Sequence, residues 1–129
     1  MKYFPDAGVA SKAAIGRLQS RKTEYPVNLK MLLGTLQAAS DRALLIVRNE
    51  KNLLEYQKTL SDIRCELDKG CPAQNLGMLL QLENLVTSGE MISTAALVRR
   101  ESRGSHYRED YPEIREEYGE MMVLQQKSK

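Results

Sequence analysis

Aromatic side chains are scarce in this sequence. It has no Trp and a single Phe, and aromatic residues make up 5% of its 129 positions. A core built without them must be aliphatic, drawn from Leu, Ile, Val, Met and Ala, and such a core favours helix packed on helix over a β-sandwich. Charge of one sign is missing too. The formal net charge is +2, and basic residues alternate with acids, so the basic stripe of a nucleic-acid binder is absent and no nucleic-acid partner is expected. No apolar run approaches the ~18 residues of a membrane span, so no direct membrane insertion is expected. The opening residues, Met1-Lys2-Tyr3-Phe4-Pro5-Asp6, have no apolar signal core, which makes the expected location cytoplasmic. Cys65, Cys71 and the single histidine, His106, are too few for a zinc or iron–sulfur site, so no metal is expected. Without secretory features the two thiols read as reduced groups near a helix end. At this length the chain is one domain with one core.

What is present is helical periodicity. Small and apolar residues recur from Val9 to Arg21 (Val9, Ala10, Ala13, Ala14, Leu18) and stop before Tyr25-Pro26, where proline biases the preceding residue away from helical geometry. Asn28 is placed to cap a second helix, in which Leu29, Leu32, Leu33, Leu36, Ala43 and Val47 share one stripe. A third set, Leu53, Tyr56, Leu60, Ile63 and Leu67, steps 3-4-3-4 as a bundle seam does. One helix from Asn28 to Leu67 would run about 60 Å. A break is therefore expected between Arg48 and Asn52, with Asn49 as the next cap. Asp68-Lys69-Gly70-Cys71-Pro72 reads as a stop, Gly70 at C′ and Pro72 in the first turn of the next helix. That helix is expected from Ala73 to Arg103, with Leu76, Leu79, Leu80, Leu82, Val86, Ile92 and Ala96 inward and Gly104 as its left-handed C′ residue. Gly89 in mid-helix costs about 1 kcal/mol against Ala, and close approach of a neighbouring helix is the simplest compensation. Nothing alternates with period two long enough for a sheet, although Met121 and Val123 could form a short strand. The expected architecture is all-α: a three-helix bundle, spectrin-repeat-like, with an N-terminal helical extension and an irregular C-terminal tail.

The densest chemistry lies in Arg99-Arg100-Glu101-Ser102-Arg103-Gly104-Ser105-His106-Tyr107-Arg108-Glu109-Asp110-Tyr111-Pro112. By itself the segment offers Arg99, Arg100 and Arg103 to the negative end of the preceding helix. It offers Glu101 to a neighbouring Arg, and Asp110 to a bidentate fork from Arg103 or Arg108. Ser102, His106 and Asp110 are the residue types of a catalytic triad, but one-turn spacing does not supply the fixed geometry a triad needs. The residues favour a charge-paired loop that holds the domain to something else. Direct contact with a ligand held by a partner domain is the other reading.

Glu101 through Pro112 also resembles the E-S-R-G-x-H-x-R-x-D-[FY]-P signature of one flavoprotein superfamily: the flavoprotein subunits of succinate dehydrogenase and fumarate reductase, and L-aspartate oxidase. Leu82-Glu83-Asn84-Leu85, Gly89-Glu90 and Ala95-Ala96-Leu97-Val98-Arg99-Arg100 are similar to the helix preceding that signature. Leu36 through Arg48 resembles the helix that ends in a bulky residue and Arg. Ala7-Gly8-Val9-Ala10-Ser11-Lys12-Ala13-Ala14 is similar to the A-G-x-x-A-A helix closing the family's flavin domain. Beyond Pro112 the chain departs, because Glu113 to Lys129 lacks the Trp-containing segment with which members usually continue.

The resemblance implies a C-terminal helical domain, packed on a flavin-binding domain, of an FAD-dependent oxidoreductase that interconverts succinate and fumarate. It implies an N-terminal helix and linker over 1–27 that ends the flavin domain, the bundle with its signature loop over 28–112, and a polar tail over 113–129. It places Glu101, Ser102, Arg103, Gly104, His106, Arg108, Asp110 and Pro112 at the contact with the flavin domain. The family's G-x-G-x-x-G fingerprint, flavin-linking His and substrate-binding residues belong to earlier domains and have no counterpart here. The chain alone is thus expected to bind no FAD and to hold no catalytic residue. The implied partners are the flavin-binding domain and an iron–sulfur subunit, with partner subunits holding the protein at the inner face of the membrane. The signature does not separate the dehydrogenases from L-aspartate oxidase, and a free-standing helical interaction module stays open as well. A domain parted from its neighbour also exposes a face able to self-associate.

Overall fold

The computed structural model describes residues 15–120 and Val123. Residues 15–20 are helical and form α1; the earlier part of the expected first helix, the Ala7–Ala14 segment and Met121 lie outside the described residues. Three helices form the bundle: α2 over Leu29–Ala43, α3 over Glu50–Asp68 and α4 over Leu76–Val98. Both expected caps are present. Asn28 Oδ1 accepts from Met31 N at 3.0 Å and Asn49 Oδ1 from Asn52 N at 2.8 Å. Each satisfies a first-turn N–H that no helix carbonyl can reach. Gly70, at φ 76°, donates its N–H to Leu67 O and stops α3 as expected.

Each helix buries a heptad-spaced line. In α2 it is Leu29, Leu32, Leu36, Ala39 and Ala43; in α3, Leu53, Tyr56, Leu60, Ile63 and Leu67. In α4 it is Leu79, Leu82, Val86, Gly89, Ser93 and Ala96. Steps of 3-4-3-4 keep one seam facing the partner helices, and each fully buried Leu contributes about 1.5–3 kcal/mol. The upper half of the α4 line is small because α3 comes close there: a Cβ on Gly89 would collide with Tyr56 Oη and sit 3.2 Å from Leu60 Cδ2.

The structure departs from the sequence expectation in several places. Leu80 and Ile92 are 36% and 50% exposed rather than inward, because the buried line runs through Gly89 and Ser93, which apolarity alone does not reveal. Val47 leaves the α2 stripe: Val47–Arg48 form strand β1, which pairs in parallel with β2, Tyr107–Arg108. A two-residue ladder is too short to show a period. α4 begins at Leu76, after a 3₁₀ turn over Ala73–Asn75, and ends at Val98, five residues short of Arg103.

The foot of the bundle is tied to the N-terminal segment. Arg21 O accepts from Cys71 N at 3.1 Å, Cys71 O accepts from Thr23 N at 3.0 Å, and Arg21 pairs with Asp68 and Glu83. Both cysteines are free thiols, Cys65 exposed and Cys71 buried.

Candidate functional site

The signature loop begins where α4 stops. Arg99 turns extended (φ −78°, ψ 94°), with its N–H on Ala95 O at 3.0 Å. Ala96 O is taken at 2.5 Å by Arg108 Nη1, which arrives from the far side of the loop. With its terminal carbonyls capped this way the helix gains nothing by continuing. Arg99, Arg100 and Arg103 therefore lie past the last turn instead of neutralising its dipole from within. Gly104 has the expected positive φ, 58°, but as the corner of a tight turn rather than a helix C′. That turn is closed by Arg103 N to His106 O at 2.8 Å and His106 N to Arg103 O at 3.0 Å.

Glu101 is fully buried and is the loop's acceptor hub. It accepts from Arg99 Nη1 at 2.6 Å, from Arg103 Nε and Nη2 at 3.0 and 3.1 Å, and from Arg115 N at 2.9 Å. The Arg103 fork first, then the Arg115 amide and the nearby guanidinium charges, hold its carboxyl below the ordinary range. Charge-assisted, multiply bonded acceptors of this kind offset the desolvation of a buried carboxylate.

Arg108 is buried as completely. Its Nε and Nη2 fork onto Asp110 at 2.7 and 2.6 Å, and its guanidinium lies 5.0 Å from the Tyr111 ring centroid. Asp110 also accepts from Glu50 N at 2.9 Å, at the positive N-terminus of α3. One Arg–Asp fork thus ties the end of α4 to the start of α3. The Arg108 bonds and the Glu50 amide hold the Asp110 carboxyl down. Ser102 Oγ accepts from Arg108 N at 2.8 Å and donates to Tyr111 O at 2.9 Å, which pins the loop to itself.

His106 Nε2 lies 3.1 Å from Arg99 O. A carbonyl only accepts, so Nε2 carries the proton, and Nδ1 is left to accept from Arg48 Nη1 at 3.4 Å. Burial, together with the Arg48, Arg108 and Arg99 charges, pushes the imidazole pKa below its ordinary value. Arg48 donates further to Ser105 O at 3.2 Å and Leu44 O at 2.9 Å, while its Nε is buried without a partner.

Seven of the eight signature residues thus meet in one clasp; Pro112 stands exposed beside it. The triad types do not form a triad. The Ser102 hydroxyl is spent on backbone, His106 on Arg99 O and Arg48, and Asp110 on Arg108 and Glu50. The partner of Asp110 is Arg108, since the Arg103 fork goes to Glu101. Sequence reasoning missed the parts played by Arg48 and Arg115. The first sat in plain view, directly before the N-cap Asn49; nothing local marks the second. Ser102 N bonds Glu113 O at 3.1 Å, so the start of the tail belongs to the clasp. Chemically the arrangement is a lock on the ends of α3 and α4, with no free base beside a nucleophile.

Among the described residues no Gly-rich turn leads from a strand into a helix. Among them, too, no three His, Cys, Asp or Glu side chains lie where they could hold a metal, and no helix is long and apolar enough to cross a membrane.

Residues 34–128 match the family described as fumarate reductase flavoprotein C-term. One of the subunits of the CoM/CoB fumarate reductase of Methanothermobacter marburgensis is 40% identical over 88 residues, covering 64% of this chain and 16% of that protein. The L-aspartate oxidase of Pseudomonas aeruginosa is 37% identical over 70 residues, 54% of this chain and 13% of that protein. Among solved structures, Mycobacterium smegmatis Sdh1 in complex with UQ1 superposes with a TM-score of 0.73 over 86% of this chain and 20% of that chain, at 24% identity, a likeness of fold. The match spans about a sixth of the length of the first of these curated relatives and about an eighth of the second.

Proposed function

This chain belongs to the fumarate reductase flavoprotein C-terminal family, and from that premise we propose that it is the helical C-terminal domain of an FAD-dependent flavoprotein that interconverts succinate and fumarate. The observation that carries the reading is the signature loop, present as one bonded clasp within the stretch that matches the family. The domain's own role is structural. The clasp fixes the ends of α3 and α4 so that the bundle presents a rigid face to the flavin-binding domain, and Tyr107 and Pro112, which the clasp leaves outward, meet that domain at the rim with the exposed flank of Arg103. In this reading residues 1–27 close the flavin domain, 28–112 are the bundle, and 113–129 form a tail anchored at its start. FAD and the reacting groups lie in the remainder of the parent. An iron–sulfur subunit would accept its electrons and hold the assembly at the inner face of the membrane.

The similarity to an L-aspartate oxidase supports a second reading, in which the parent oxidises L-aspartate. Assaying the full-length parent with succinate, fumarate and L-aspartate separates the two. Turnover of succinate or fumarate supports the first reading and turnover of L-aspartate alone the second. A coding sequence joined to no flavin-binding segment would overturn both and leave the free-standing interaction module.

A further inference from the structure

Charge is unevenly shared among the three bundle helices. α3 is charged at eight of its nineteen positions. α4, with 23 residues, carries only Glu83 and Glu90. Both are held on its α3 side, Glu83 by Arg21 and Glu90 by Arg64 at 2.9 and 2.6 Å. α2 has no charged residue from Met31 to Ser40. The apolar residues of α4 are not confined to its buried line: Leu85, Met91, Ile92 and Val98 each stand about half exposed.

Between α2 and α4 lies an open cleft of about 410 Å³ that includes Leu33, Met78, Leu85 and Ser88. It continues into one of about 300 Å³ that reaches Leu44 and Ile92 and shares Leu33, Leu85 and Ser88 with the first. From Met78 to Ile92 the groove runs about 21 Å at the helical rise. Among the described residues lining it Asp41 is the one charge. Depletion of charge around exposed aliphatic side chains marks the centre of an interface; a solvated face has no use for it.

We propose that the α2/α4 cleft seats the remainder of the parent flavoprotein, which lays an aliphatic ridge between these two helices while the charged face of α3 stays in water. The proposal rests on the reading of this chain as a C-terminal domain and adds the face by which it docks. The occupant follows from length and connection. The matched relative and the superposed structure extend to several times this chain, which covers 16% and 20% of them. The segment leading into the bundle is moored on the α3 side, through Arg21 to Asp68 and Glu83, so it leaves the α2/α4 cleft open to the rest of the parent.

Single-cysteine labelling tests this. Cys65, the exposed native thiol, is replaced by Ser, and Leu85→Cys, Ile92→Cys and, on the charged face, Lys58→Cys are introduced one at a time. Maleimide labelling rates are then compared between this chain and the intact flavoprotein, with the melting temperature of each variant as a folding check. Expected is labelling at least about tenfold slower in the intact protein at positions 85 and 92, as for groups that react only on local opening, and an unchanged rate at 58. Protection at 58 with free reaction at 85 and 92 overturns the cleft but leaves the domain reading standing. Protection nowhere overturns both. Protection at 85 and 92 in this chain alone, lost on dilution, assigns the cleft to a second copy and overturns the proposal.

Discussion

Replacing Arg108 with Met tests whether the clasp holds the bundle or only decorates it. The substitution keeps an apolar stem in a fully buried position but removes the guanidinium. Ala96 O then loses its donor in a buried site, a cost of about 1–3 kcal/mol. Asp110 loses both arms of its fork. Its side chain is 27% exposed and keeps the Glu50 amide, so water rescues part of the loss and about 1–2 kcal/mol remains. The sum, about 3 kcal/mol, matches the lower end of what breaking a buried ion pair costs. For a domain of this size it corresponds to a fall of about 12 °C in melting temperature. Far-UV circular dichroism against temperature and urea measures it, with amide exchange at His106 and Glu109 reporting on the loop itself. Arg108→Lys keeps the charge without the fork and should fall between the two. A loss under about 3 °C for Arg108→Met, or a lysine variant as stable as the parent, would refute the assignment of this fork as the link between α3 and α4.

Gly89→Ala should destabilise by about 1–3 kcal/mol through overpacking against Tyr56 and Leu60, although Ala is the better helix former by about 1 kcal/mol; a urea midpoint that rises instead would show that α3 gives way. His106 contributes a pH dependence with a defined sign. Its native pKa lies below the ordinary histidine value, so the unfolded chain binds the proton first, and stability is complete above pH about 6.5 and declines below it. Melting curves from pH 7.5 downward should show this slope in the parent and lose it in His106→Asn; identical slopes would locate the titration elsewhere. Asn49→Ala should cost about 1 kcal/mol for the lost cap of α3. Asn49→Asp should recover only part of it, since the new carboxylate faces Glu109, which the amide now bonds at 2.5 Å; a chemical-denaturation series on both variants decides.

Where local signals were strong, the sequence reading and the structure agree. Asn28 and Asn49 cap their helices because a short polar acceptor before an apolar-periodic run satisfies orphan N–H groups within three residues. Gly70 stops α3 because only a residue free to take positive φ closes that turn at no steric cost. The expectation failed where the deciding partner is distant in sequence. The helical pattern through Arg103 says nothing of Arg108 Nη1 reaching back to Ala96 O and ending α4 at Val98. Ile92 reads as core because it is apolar, whereas the seam runs through Ser93 and through Gly89, which admits Tyr56.

By itself the sequence determined that this is an aliphatic three-helix bundle and that Glu101 to Pro112 carries its family signature, since periodicity, caps and motif are all written within a few residues. Tertiary structure decided what that motif does. Its charges lie within fourteen residues, but only the fold says that Glu101 and Arg108 are fully buried, that Asp110 belongs to Arg108, and that Arg48 and Arg115 arrive from elsewhere to complete the clasp. The reason is physical: the worth of an ion pair depends on burial and on distance in space, and the order of residues along the chain records neither.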